Sequence, residues 1–161
     1  MAFSICIKID DIKGESNVKS HAGEIDVLTW NWGITQTASG HVGSGAGTGK
    51  ADVKDLTFTK HVDKATPVLL QYCNLGKAFK QALLTVTKVS GDAKPLEFIK
   101  MTMTGSVFIS AVHSGDPLPD ETYSETVSLN FGSAKFEYTP QKADGSGDSP
   151  VVGEIVIAPV A

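Results

Sequence analysis

Four histidines, two cysteines and eighteen carboxylates are the side chains from which this chain would have to build catalytic or metal chemistry. Zinc sites draw ligands from histidine and cysteine pairs spaced about two to five residues apart. His21, His41, His61 and His113 have no histidine or cysteine within that reach, and Cys6 and Cys73 also stand alone. No metal is expected. Both cysteines lie in apolar segments and read as reduced core thiols.

Carboxylate pairs fare no better. Asp10 and Asp11 are adjacent, so in a strand they point to opposite faces. Glu24 and Asp26 share a face, as a glycosidase pair must, but nothing near them marks a buried acid. Charges blunting an exposed strand edge are the better reading. No serine sits in a nucleophile elbow. An enzyme is not expected, and neither is a cofactor.

The segment TASGHVGSGAGTGK, Thr37 to Lys50, ends like a phosphate loop. That motif needs glycine where Ser44 stands and serine or threonine where Ala51 stands. A glycine excursion that orders against a partner fits instead. Its contact candidates are Gly40, His41, Gly43, Gly45, Gly47, Gly49 and Lys50.

Around these residues the composition is that of a folded domain. The 161 residues are 41% hydrophobic and 20% charged, with a net charge of −4. All 14 cations are lysine. Grips on phosphate and base edges rely heavily on the arginine fork, so nucleic acid is not an expected partner. No apolar run approaches the roughly 18 residues of a membrane helix, so no membrane partner is expected. MAFSICIKIDDIKGES lacks the basic stretch and unbroken apolar run of a signal peptide, which predicts synthesis and folding in the cytoplasm.

Period-two alternation dominates. Phe3, Ile5, Ile7 and Ile9 share one face of a first strand. EIDVLTWNWGIT, from Glu24, reads as a second strand whose apolar parity switches near Val27 or Leu28, as at a β-bulge. Leu56, Phe58 and Val62 are in phase in a third. Leu96 to His113 reads as one long strand interrupted at Gly105. Val127, Leu129 and Phe131 form another row, followed after Gly132 by Ala134, Phe136 and Tyr138. The terminal VVGEIVIAPV is apolar on both faces, which predicts a strand buried on both sides. One helix is expected, capped by Thr66, opened by Pro67, striped by Leu69, Tyr72 and Cys73, and stopped at Gly76. The fold class is mainly β: a two-sheet β-barrel or sandwich with one α-helix packed on its side, in a single domain spanning residues 1–161.

KIDDIKGES from Lys8, EIDVLTWNWG from Glu24, DLTFTK from Asp55, DKATP from Asp63, ETVSLNFG from Glu125 and YTPQKADG from Tyr138 stand in order with the glycine excursion between them. Together they closely resemble Hcp, the hemolysin-coregulated protein family of bacterial type VI secretion, over essentially the whole chain. The resemblance implies homohexameric rings that stack into an inner tube inside a contractile sheath. The tube would carry a VgrG spike, hold effector proteins in its lumen, and leave the cell without a signal peptide. In such a tube the glycine excursion, Gly40 to Lys50, is expected to contact a stacked ring or the sheath. The absence of arginine and the C-terminal segment depart from the family pattern. Related readings are a phage-type tail tube protein and a ligand-binding β-sandwich. The latter needs a solvent-facing aromatic platform, whereas Trp30 and Trp32 fall in the core phase. By the same alternation Thr29, Asn31 and Gly33 face the other way, onto a channel wall or subunit seam.

Overall fold

The structure is a computed structural model that describes residues 2–37, 50–89 and 94–157. The first alternating segment is β1 (Ala2–Ile9), which buries Ile7 and Ile9 and leaves Phe3 exposed at its start. The segment from Glu24 is not one bulged strand. It divides into β2 (Ile25–Asp26), β3 (Thr29–Asn31) and β4 (Ile34–Gln36). The Val27 amide donates to Ile5 of β1, whereas the next amide, Leu28, donates to Thr59 on the opposite sheet. The apolar parity switches there because the chain leaves one layer for the other, and inward changes direction.

The remaining elements are β5 (Ala51–Val53), β6 (Leu56–His61), α1 (Thr66–Leu75), β7 (Ala78–Phe79), β8 (Ala82–Val89), β9 (Leu96–Thr104), β10 (Val107–Pro117), β11 (Tyr123–Asn130), β12 (Ser133–Tyr138) and β13 (Val151–Val156). One sheet runs β13-β12-β9-β8-β1-β2, a second runs β3-β6-β11-β10-β7, and β4-β5 form a separate ribbon. These are open antiparallel sheets, a sandwich rather than a closed barrel. Between them lie Ile7, Ile25, Leu56, Phe58, Leu84, Met101, Met103, Val127 and Leu129, all essentially inaccessible.

The long strand expected from Leu96 to His113 is also two strands in different sheets. Gly105 and Ser106, at φ 73° and 66°, turn β9 out of one sheet and into β10 of the other. Gly132 makes the reverse crossing from β11 to β12 alongside. A Cβ on Gly132 would lie 2.5 Å from the Gly105 carbonyl oxygen, so the two crossings pack closely only because glycine is present.

In β6 the third inward position after Leu56 and Phe58 is Lys60, while Val62 lies past the strand end and is exposed. The terminal strand is corrected too. β13 pairs only with β12 and forms the edge of its sheet, with Val151 at 66% and Val156 at 68% exposure. Its apolar residues have no covering layer within the described residues of this chain.

The helix sits against β10 and ends as expected, with Gly76 left-handed at φ 63° and its amide donating to the Cys73 carbonyl. Leu69 is buried, while Tyr72 and half-buried Cys73 pack against the core. Its start differs. Ala65 occupies the cap position without a side-chain bond, and Thr66 is the first helical residue. The Thr66 hydroxyl accepts from the Asp63 amide at 3.0 Å and donates to Glu125 at 2.7 Å, which draws it inward rather than over the helix end.

Candidate functional site

Alternation along β6 and β11 gives the second sheet two unlike faces. Leu56, Phe58 and Lys60 on β6, with Glu125, Val127 and Leu129 on β11, point inward and are buried. Thr57, Thr59, Ser124, Thr126 and Ser128 therefore point outward. The register aligns them in rows across the strands: Thr29 opposite Thr59 opposite Thr126, and Asn31 opposite Thr57 opposite Ser128. Thr29 and Thr59 hydroxyls lie 2.6 Å apart, and those of Thr57 and Ser128 lie 3.0 Å apart. Asp55 accepts from Ser110 at 2.6 Å and from Asn130 at 2.9 Å at the margin of this patch. The outward positions of β3, β6 and β11 carry no lysine, aspartate or glutamate.

Thr29 and Asn31 are exposed members of this hydroxyl face, but Gly33 lies past β3, half-buried, its carbonyl accepting from the Lys54 amide at 3.0 Å. Trp30 and Trp32 turn the other way and pack on the core. Trp30 lies 6.4 Å from Phe136, and Trp32 lies 6.3 Å from Phe136 and 6.1 Å from Phe131, ring centre to ring centre. They offer no solvent-facing platform. Of the loop candidates, Gly40, His41, Gly43, Gly45, Gly47 and Gly49 lie outside the described residues. Lys50 is exposed at the foot of that excursion, and its amide donates to the Thr37 hydroxyl at 3.2 Å.

Sequence reasoning missed Thr57, Thr59, Thr126 and Ser128, though threonine or serine at alternate positions in LTFTKH and YSETVSLN carried the signal. It also missed two polar clusters. Under the hydroxyl face, the buried Lys60 ammonium donates to Glu125, to Asp63 at 2.8 Å and to the His61 carbonyl at 2.9 Å. Neither member of the Lys60–Glu125 pair reaches water.

On the first sheet, His21 places Nδ1 2.8 Å from Glu24 and Nε2 2.7 Å from Glu97. Burial opposes a charged imidazole, but the hydrogen bonds to Glu24 and Glu97 outweigh it and hold the His21 pKa above its ordinary value. Burial likewise opposes the Glu97 carboxylate, yet bonds from His21 and Lys100 hold its pKa below the usual range. Neither cluster opens onto a cavity with a nucleophile, and neither holds the ligand set of a metal.

A family profile described as "Type VI secretion system effector, Hcp" matches residues 6–138. The chain is 46% identical over 148 residues to protein hcp1 of Pseudomonas aeruginosa, covering 92% of this chain and 90% of that protein. The fold is similar to the crystal structure of Hcp1 from Salmonella typhimurium, with TM-score 0.77 and 36% identity, covering 98% of this chain and 96% of that one. It is also similar to a type VI secretion system effector from Yersinia pestis, with TM-score 0.74 and 30% identity, covering 95% of this chain and 99% of that one.

Proposed function

Because this chain belongs to the Hcp family of type VI secretion proteins, we propose that it is a non-enzymatic tube subunit whose hydroxyl face lines the lumen. A single domain over residues 1–161 closes six-fold into rings, and rings stack inside a contractile sheath below a VgrG spike. Effector proteins travel in the channel, and the chain itself is made in the cytoplasm and leaves through the same apparatus. Such a machine serves bacterial competition and virulence.

One observation carries the reading: the outward face of β3, β6 and β11 carries threonine, serine and asparagine, with His61 at the end of β6 and no lysine, aspartate or glutamate, over an interior where the charges are paired. Neutral hydroxyls can hydrogen-bond many protein surfaces without the strong, selective grip of an exposed ion pair. Unpaired strand edges and the bare apolar β13 support assembly, since an open edge invites another chain and a ring of identical subunits covers it.

Light scattering at micromolar concentration should give about six times the 17.0 kDa subunit mass, and negative-stain images should show rings. A clean monomer at every concentration would overturn the proposal.

A further inference from the structure

An open groove of about 770 Å³ lies beside β7, lined in part by Lys8, Lys77 and Lys80 together with Asp10 and Asp11. A smaller cavity of about 310 Å³ adjoins it through Asp11 and adds Lys13 and Lys64. Lys8, Lys77 and Lys80 line the β7 end, while Lys13 and Lys64 continue the row beside α1 towards its start, where the Val62 amide donates to the Tyr123 carbonyl. All five are exposed, and none forms an ion pair among the described residues. Of the two carboxylates in the lining, Asp10 accepts from the Lys80 amide at 2.9 Å. Lys77 is held above the Tyr72 ring at 4.1 Å, which fixes its ammonium at the groove mouth.

The opposite charge is concentrated at the far end of the same sheet. β7 pairs with Val107 and Phe108 at the start of β10. The turn from β10 to β11 follows Pro117, roughly 30 Å away at about 3.3 Å per residue. That turn reads GDPLPDETY and carries Asp116, Asp120 and Glu121 without a lysine. It is built rather than loose. The Leu118 amide donates to the Thr122 carbonyl, the Glu121 amide donates to the Leu118 carbonyl, and the Thr122 hydroxyl donates to Asp120 at 2.6 Å. Hydrogen bonds from the Thr122 hydroxyl and amide hold the Asp120 pKa below its ordinary value, so the tip stays charged. A register shift between Ser114 and Asp116 bends the strand just before it.

We propose that the acidic β10–β11 turn of a subunit in one ring seats in the lysine groove of a subunit in the next ring. This rests on the tube reading above. If the hydroxyl face lines the lumen with its strands running along the channel, the two ends of β10 face the rings above and below. Patches of opposite charge at opposite ends of one strand make a head-to-tail contact, the kind that repeats without closing and builds a filament. Complementary charge steers encounter and fixes register, which suits rings that must stack in one orientation.

The test uses two full-length variants, Lys8→Glu/Lys80→Glu and Asp120→Lys/Glu121→Lys. Each alone brings like charges face to face, so sedimenting stacks should fall about tenfold or more while light scattering still gives ring mass. Mixed in equal amounts, the two ring populations should stack again, alternating, because each tip now meets a groove of opposite sign. A neutral pair, Lys8→Gln/Lys80→Gln, should stack weakly and lose the salt sensitivity of the parent. Either charge-reversed variant stacking like the parent, a mixture that stays unstacked, or loss of ring mass in either variant would overturn the contact. Parent protein that never forms rings or stacks would instead bring down the tube reading.

Discussion

The two sheets treat their outward faces in opposite ways. Over the second sheet, Thr29, Asn31, Thr57, Thr59, Thr126 and Ser128 stand without a covering layer among the described residues. Over the first, the outward Cys6, Thr85 and Thr87 are buried. What covers them is the loop between β1 and β2. Ser16 of that loop lies 3.5 Å from the Cys6 sulfur, and His21 reaches Glu97 on β9. The loop also closes on itself, Gly14 donating to Gly23 and Ser16 to Glu24. Gly14 has no room for a side chain, since a Cβ there would lie 2.4 Å from the Glu24 carbonyl oxygen. Neutral polar groups can thus be left bare for a passing partner or sealed beneath a charged fastening. The covered sheet relies on a fastening at its surface, and the bare sheet relies on a charge pair inside.

Breaking that inner pair should have the largest effect. Lys60→Met leaves Glu125 buried without its cation, and Glu125 already has one oxygen without a partner. The expected loss is about 3–5 kcal/mol in denaturant melts. Adding Glu125→Leu should recover most of it, because an apolar pair of similar volume removes both desolvation costs. A double variant as unstable as the single one would show that the cluster, through Asp63 and Thr66, orders the start of α1. Thr66→Ala separates these roles. It should cost about 1–3 kcal/mol, by leaving buried partners unsatisfied rather than by uncapping a helix.

Next comes Tyr72→Ala, expected to cost about 2 kcal/mol. Its half-buried ring lies 5.6 Å from Phe79 and is only partly lost to solvent on truncation. The deficit should appear in melts of both monomer and ring, since Tyr72 packs on the core of its own subunit.

How much of this was readable depends on what alternation encodes. A two-residue period marks which side chains share a face, and it located β1, β6, β11 and β12 and the hidden side of Trp30 and Trp32. It does not say which layer supplies the inside. At Val27–Leu28 a change of sheet produced the same parity switch as a bulge, and at Gly105 a corner looked like an interrupted strand. Nor does it distinguish cover by the same chain from cover by another, so β13 read as interior. Lys60 and Glu125 were in phase with Phe58 and Val127, but a charge in an apolar row has no visible counter-charge until the strands are paired. The His21 fastening joins residues 76 positions apart, beyond any local signal. The outward face was legible in part: Asn31 and Thr29 followed from the tryptophans, whereas their neighbours on β6 and β11 required the register.

Loosening the cover should have a smaller, pH-dependent effect. The folded His21 pKa lies above its ordinary 6.5, so its contribution is complete below that value and is lost as pH rises through the folded one. The folded Glu97 pKa lies below its ordinary 4.5, so its contribution is complete above that value and is lost as pH falls through the folded one. The fastening is therefore strongest between roughly pH 4.5 and 6.5. His21→Asn should cost about 1 kcal/mol in that window, since Glu97 is partly solvated, and less at pH 9. In a Cys73→Ser background and at fixed pH, a thiol reagent should reach Cys6 several-fold faster in the variant. Equal labelling rates would mean that the loop stays down without the imidazole.

The smallest effect on stability is expected on the bare face, where it is also the most informative. Asn31 is exposed and its row partner Thr57 already bonds to Ser128, so Asn31→Gln and Asn31→Arg remove no contact of the core and should change stability by no more than about 0.5 kcal/mol. Rings should therefore assemble at unchanged mass. The two variants differ in what they present to a cargo. Glutamine keeps the wall neutral and merely lengthens one side chain, whereas arginine sets a fixed cation, repeated at every subunit of a ring, into a face that holds no lysine, aspartate or glutamate on β3, β6 or β11. Effector capture measured by pull-down on rings of equal mass should drop modestly for Asn31→Gln. For Asn31→Arg it should change sharply, and in a salt-dependent way. Unchanged capture by both variants would remove Asn31 from the lumen and shift the hydroxyl face to a subunit seam. There the same arginine, forced into a closed contact, should lower ring mass instead, because a buried unpaired cation is costly to assemble.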